Sequence, residues 1–387
     1  GDGANGKANG GPAVVAGPRP GWAGFLTMLE AIGVDISNGG DVAHLAWLWG
    51  EMPKTINILR EEMKSSKPDL LIYNHLMVNV GQLVWRLYGV RTMFANLGME
   101  FHFAPNAKDV FNYQTLSAFD RFVVRRMAGV APLAALTHEQ YTSIYTSPDR
   151  LLGTTKLIRE ILPMADQQLS KDWKFTGFWV MDEEKQFEEP GAFGGPEVLE
   201  ALKAFLQAGM KPVYLGWGSM GTETRLLVKV VKALRSLRMR AVIVRGWGDF
   251  SLEALEAAEE AHPEDCEGLS DYARQQVLFL DKAPHEWLFA RCLCTVHHGG
   301  AGTTAAALRA GVPTVVVPVA YDQFHHGEWV QKLGCGVKAS QYNEIEAPEL
   351  EDALRKASTD PDMLRRAEIV AMSLRKEPGV AGAVGKI

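Results

Sequence analysis

CLCTVHHGGAGTTAAALRAGVPTVVVPVAYDQFHHGEWVQKLGCG, residues 292–336, decides how this chain is read. An apolar run ends at His297 and His298, the glycine-rich turn GGAGTT follows, and the alanine-rich run AAALRA comes next. That order spells strand, tight loop and helix N-terminus. Glycines let a ligand approach the backbone. The unbonded N–H groups of a first helical turn, at the positive end of its dipole, favour a phosphate or diphosphate. The Thr303 and Thr304 hydroxyls add two donors beside them. A second strand, expected at 312–318, exits into a loop that brings Asp322 and Gln323 to the start of another helix, where paired polar groups can hold sugar hydroxyls. The two loops are expected to share one cleft.

Outward from this block, apolar strand-like runs alternate with amphipathic helical runs, which argues for an α/β fold with parallel sheets. Strands are expected at 13–16, 70–73 and 92–95, and helices at 22–31, 42–63, 78–88 and 115–127. In the second half, strands are expected at 213–215, 241–244, 277–280, 292–296 and 314–317, with a helix between each pair. Between the halves lies MDEEKQFEEPGAFGGPEV, residues 181–198, acidic and then rich in Gly and Pro, the best linker in the chain. The helix after Gly221 puts Leu226, Leu227, Val230, Val231, Leu234 and Leu237 on one face. Arg225, Lys229, Lys232 and Arg235 fall largely outside it, as on a solvated face.

At 387 residues the chain exceeds one ordinary core, so two domains are expected. A net charge of −6 argues against nucleic acid as the main partner. The four cysteines, Cys266, Cys292, Cys294 and Cys335, lack zinc spacing and read as reduced buried thiols. The longest apolar runs fall short of the roughly 18 residues a membrane span needs. Residues 1–12, GDGANGKANGGP, have no apolar core and read as a disordered leader, not a signal peptide. A cytoplasmic location is expected. FDRFVVRRM, residues 119–127, reads as an amphipathic helix, with peripheral membrane contact as the alternative use of Arg121, Arg125 and Arg126.

TGFWVMDEE at 176–184, PVYLGWGSM at 212–220, RAVIVRGWG at 240–248, APHEWLF at 283–289 and the HHGGAGTT block, in that order and spacing, resemble the family that includes sterol 3-beta-glucosyltransferases and bacterial antibiotic glycosyltransferases. The resemblance implies the GT-B fold, α/β with two Rossmann-like domains: an acceptor-binding domain at 13–180, the linker at 181–198 and a nucleotide-sugar-binding domain at 199–387. It implies His298 as a contact of the donor diphosphate, with Gly300, Gly302 and Thr303 around it and Ser219 facing the same group. Ala283 and His285 resemble the segment beside the uracil ring. Asp322 and Gln323 resemble the pair that reads the sugar, and Trp247 a residue lining the nucleotide pocket. His297 reads instead as strand-end packing, Trp287 as core, and Asp322 as a sugar contact more than a helix cap.

The implied reaction is inverting transfer of glucose from UDP-glucose to the hydroxyl of a hydrophobic acceptor, a sterol. No cofactor is implied beyond the donor substrate. With no DxD-like string present, metal-independent chemistry is expected. The family's opening strand and its GTRGDVQP-like loop, which commonly carries the base, have no counterpart here; PAVVAGPRPGWAGFLTMLEAIGVDI resembles the family from its second strand onward. The acceptor domain is therefore expected to be incomplete. The base falls to another residue at a strand's carboxyl end, His75 after DLLIYN ahead of His102. A catalytically inactive nucleotide-sugar-binding protein is the alternative. Phe94, Met99, Phe101, Phe103 and Phe111 supply an apolar pocket or simply core.

Overall fold

The computed structural model describes residues 58–59, 61–66, 68–74, 84, 88–97, 150–157, 174–320 and 322–387. The chain divides into two compact units, residues 1–73, 77–92 and 102–147 in one and residues 74–76, 93–101 and 148–387 in the other. One sheet has four strands in chain order, β1 (Leu70–Tyr73), β2 (Arg91–Asn96), β3 (Arg150–Leu152) and β4 (Lys174–Phe175), with β2, β3 and β4 parallel. β1 and β2 lie where the sequence places them. The strand expected at 13–16, the helices expected at 22–31 and 115–127, and His75, His102 and residues 119–127 lie outside the described residues.

The larger sheet has six strands: β5 (Val213–Gly216), β6 (Ala241–Val244), β7 (Val277–Leu280), β8 (Thr295–His297), β9 (Thr314–Val316) and β10 (Gly336–Lys338). Every neighbouring pair is parallel, in the order β10-β9-β8-β5-β6-β7. Ahead of it come α1 (Glu183–Glu188), α2 (Pro190–Phe193) and α3 (Gly195–Gln207), so the stretch expected as a linker is largely helical. α4 (Thr224–Leu237) joins β5 to β6, and α5 (Leu252–Ala261), α6 (Pro263–Cys266) and α7 (Leu269–Gln276) join β6 to β7. α8 (His285–Phe289), α9 (Ala301–Ala310) and α10 (Gln323–Lys332) follow β7, β8 and β9; α11 (Ala347–Thr359), α12 (Pro361–Leu374) and α13 (Gly379–Val384) close the chain.

Strand alternation builds two cores from one sheet. On β5, Val213 and Leu215 enter the cluster with Leu227, Val230, Val231 and Leu234 of α4, while Tyr214 joins Trp287, Leu288 and Phe289 of α8 on the other face. Ala241 and Ile243 of β6 follow the first pair, Val242 and Val244 the second. Burial on both faces is why these strands read as unbroken apolar runs. The expected strand at 292–296 is displaced: Cys292 N–H donates to the Phe289 carbonyl, so a turn consumes the run's start and β8 begins at Thr295. All four cysteines are buried and free. Among the described residues no helix is long and apolar enough to cross a membrane.

The strand order reverses once. From β5 the chain steps outward through β6 to β7, then returns to the other side of β5 and steps outward through β8, β9 and β10. Such a switch point leaves a crevice outside the carboxyl ends of the two central strands, flanked by the loops that leave β5 and β8 in opposite directions.

Candidate functional site

The loop after β8 is His298, Gly299 and Gly300, and α9 starts at Ala301 with no side chain capping it. Thr304 N–H closes the first turn on the Gly300 carbonyl at 2.9 Å. The N–H groups ahead of it have no place in the helical ladder. Gly302 is exposed and a Cβ there would meet nothing within 4 Å, so the first turn is open to a ligand. Thr303 is half-buried and Thr304 buried, its Oγ1 without a hydrogen-bond partner.

His298 lies at the switch point itself. Its ring packs against the β5 loop on one side and its own loop on the other: a Cβ on Gly218 would stand 3.0 Å from Cε1, and one on Gly300 would stand 2.4 Å from Nε2. Glycine at 300 is therefore the condition for this ring position. The residue is 8% exposed, and its Nδ1 has no hydrogen-bond partner. Burial holds the imidazole at about 4 against an ordinary 6.5, opposed by the Gly216 carbonyl and the Asp322 carboxylate and assisted by His326. A neutral ring beside an uncapped helix N-terminus is poised to become a cation next to an anion.

The other histidines divide by role. His297 is fully buried; Gly299 N–H donates to its Nδ1 at 3.0 Å, so its proton sits on Nε2 and points to Thr314 Oγ1 at 2.9 Å. It is packing, as its sequence position suggested. His326 donates Nδ1–H to the Gly299 carbonyl at 2.5 Å and fixes the loop from α10. His285, half-buried at the start of α8, is held by Tyr214 and stacks on Phe289 at 4.8 Å. Its own pKa is lowered by burial and then by His298, which places both rings in one electrostatic neighbourhood.

The remaining candidates sort as follows. Ser219 is exposed in the loop after β5, and Trp247 is 79% exposed in the loop after β6. Trp247 N–H donates to the Gly218 carbonyl at 2.9 Å, so these two loops are tied at one end of the sheet. Ala283 is buried in the core under α8, leaving only its backbone for a ligand. Asp322 does not cap α10: its backbone is already helical and its side chain makes no cap bond. Its carboxylate stays partly exposed, 3.9 Å from His326 Nδ1. Gln323 is buried, and its Oε1 accepts from Val319 N–H at 2.8 Å and Ala320 N–H at 3.0 Å. Its Nε2 reaches Met220 Sδ at 3.3 Å, so it braces the β9 loop against the β5 loop. Trp287 is core, as expected. Sequence reasoning missed Tyr214; a polar tip inside an otherwise apolar strand was the available signal.

Residues 245–386 match the family model described as the C-terminal domain of erythromycin biosynthesis protein CIII-like proteins. A sterol 3-beta-glucosyltransferase of Arabidopsis thaliana is 36% identical over 220 residues, 55% of this chain and 30% of that protein. One from Kluyveromyces lactis is 31% identical over 220 residues, 56% of this chain and 17% of its own length. The chain thus spans less than a third of the curated relatives it matches. Among solved structures, the kitacinnamycin glycosyltransferase aligns over 88% of this chain and 80% of its own, with a TM-score of 0.61 at 17% identity. The glycosyltransferase VinC, solved with dTDP, aligns over 95% and 81% with a TM-score of 0.57 at 18% identity. The fold is GT-B, and the resemblance to sterol and antibiotic glycosyltransferases read from the motifs holds.

Proposed function

We propose that this chain is an inverting glycosyltransferase that moves glucose from UDP-glucose to the hydroxyl of a hydrophobic acceptor, a sterol. The observation that carries the proposal is the open N-terminus of α9 beside the buried His298, whose Nδ1 has no partner, at the switch point of a six-stranded parallel sheet. Sterol glucosyl transfer is what the names of the curated relatives say of those proteins.

Transfer needs charge stabilisation on the departing diphosphate, a positioned acceptor oxygen and a base. The first-turn N–H groups of α9 and the Thr303 hydroxyl hold the diphosphate. Its negative charge draws a proton onto His298, which donates to the leaving group as charge builds there. This set makes a metal ion unnecessary, and the chemistry proceeds without one. Asp322 faces the sugar, Trp247 and His285 the nucleoside, and Ser219 the diphosphate from the β5 loop. Residues 13–180 bind the acceptor and residues 199–387 the donor, with His75 as the base.

The test is UDP-glucose turnover with a panel of sterols beside calorimetric UDP binding. Glucosylated sterol with inverted anomeric configuration is expected. Binding without turnover on any acceptor would leave a nucleotide-sugar-binding protein and end the enzymatic reading.

A further inference from the structure

We infer that Tyr214 is a positioning residue that locks His285 into the tautomer presenting Nδ1–H to an accepting oxygen on the nucleoside half of the donor. The inference rests on the nucleotide-sugar reading above for its ligand, but not for its geometry. Tyr214 is 2% exposed, and its Oη lies 3.0 Å from His285 Nε2. Burial drives the phenol pKa upward, so Tyr214 stays a hydroxyl. A buried O–H seeks an acceptor, and among the described residues Nε2 is the one it meets. A neutral imidazole that accepts at Nε2 carries its proton on Nδ1. Burial keeps His285 neutral at physiological pH, with a pKa of about 4.

The ring's orientation is fixed as firmly as its proton. His285 stacks on Phe289 with 22° between planes, and Tyr214 meets it edge-on at 75° with centroids 5.5 Å apart. The hydroxyl has room only because residue 216 is glycine: a Cβ there would stand 2.5 Å from Tyr214 Oη. Among the described residues no hydrogen bond takes up His285 Nδ1, and it is not among the atoms sealed from solvent without a partner. The charged or titratable neighbours in play are His298 toward His285, Cys292 toward Tyr214 and, next to His285 in the first turn of α8, Glu286 with its partner Arg309.

Nitrogen NMR of the imidazole rings in the nucleotide-free protein at pH 7 reads the lock directly. His285 is expected with a protonated Nδ1 and an unprotonated Nε2; the reverse in the unaltered protein overturns the inference with no variant needed. In Tyr214→Phe the ring is expected to become a tautomer mixture and its titration to move up toward 6.5. UDP dissociation constants, measured by calorimetry, are expected to rise about tenfold in Tyr214→Phe and in His285→Ala, with the double variant no worse than either. Unchanged UDP affinity in Tyr214→Phe, with wild-type binding intact, refutes the positioning role. Absence of UDP binding by the wild type refutes the nucleotide reading and leaves the tautomer result standing. A penalty that vanishes with 2′-deoxy-UDP assigns the accepting oxygen to the ribose O2′, and one that persists places it elsewhere on the nucleoside.

Discussion

Replacing His298 by glutamine should flatten the acid limb of the protein's stability. Burial sets this imidazole at about 4 in the folded chain against an ordinary 6.5. Between those values the unfolded state binds the extra proton, so stability is complete above pH 6.5 and falls as the pH drops toward 4. The full shift corresponds to about 3 kcal/mol, and about 2 kcal/mol of it is lost by pH 5. That is a large part of the roughly 5–15 kcal/mol that holds a domain together. Urea unfolding of the wild type and His298→Gln at pH 8, 6 and 5 reads the difference directly. The variant, starting from its own stability at pH 8, should lose about 2 kcal/mol less than the wild type by pH 5. Parallel profiles would refute the claim that His298 is held neutral by burial. His297, pushed well below its ordinary range by its burial, should keep titration-silent ring signals over the same range.

Three further outcomes follow from particular contacts. Gly300→Ala places a methyl 2.4 Å from His298 Nε2, so the ring must move and UDP should bind at least about tenfold more weakly by calorimetry, the scale of one lost hydrogen bond to a charged group. Turnover of UDP-glucose should be insensitive to EDTA, and loss of activity on chelation, restored by a divalent cation, would contradict the metal-free scheme. Arg238 ends α4 in the left-handed region at φ 54° and is exposed, so Arg238→Gly should be neutral or stabilise by up to about 1 kcal/mol in thermal unfolding.

The larger sheet was legible because its strands, buried on both faces, are runs of Val, Ile and Leu bounded by helices. β10 and the short β3 and β4 were not, since each is two or three residues that include a charged one and shows neither a period nor an unbroken apolar run. Cys292 to Cys294 misled for a related reason: a buried turn and a buried strand are equally apolar. At the site, the glycine loop announced itself through GGAG, and His298 through abutting it. Gln323 did not reveal that its amide oxygen bonds the backbone three and four residues earlier, because a local bond and a ligand contact demand the same side chain. Tyr214 was hidden by the strand's apolar context, its partner standing 71 residues away.

The most direct test of the account is a calorimetric titration of the whole chain with UDP, repeated with His298→Ala. One UDP per chain is expected, with protons taken up on binding at pH 7 as the ring is recharged, and an affinity at least about tenfold weaker in the variant. No binding, or equal binding by both proteins with no proton uptake, would contradict a diphosphate site at the β5/β8 switch point.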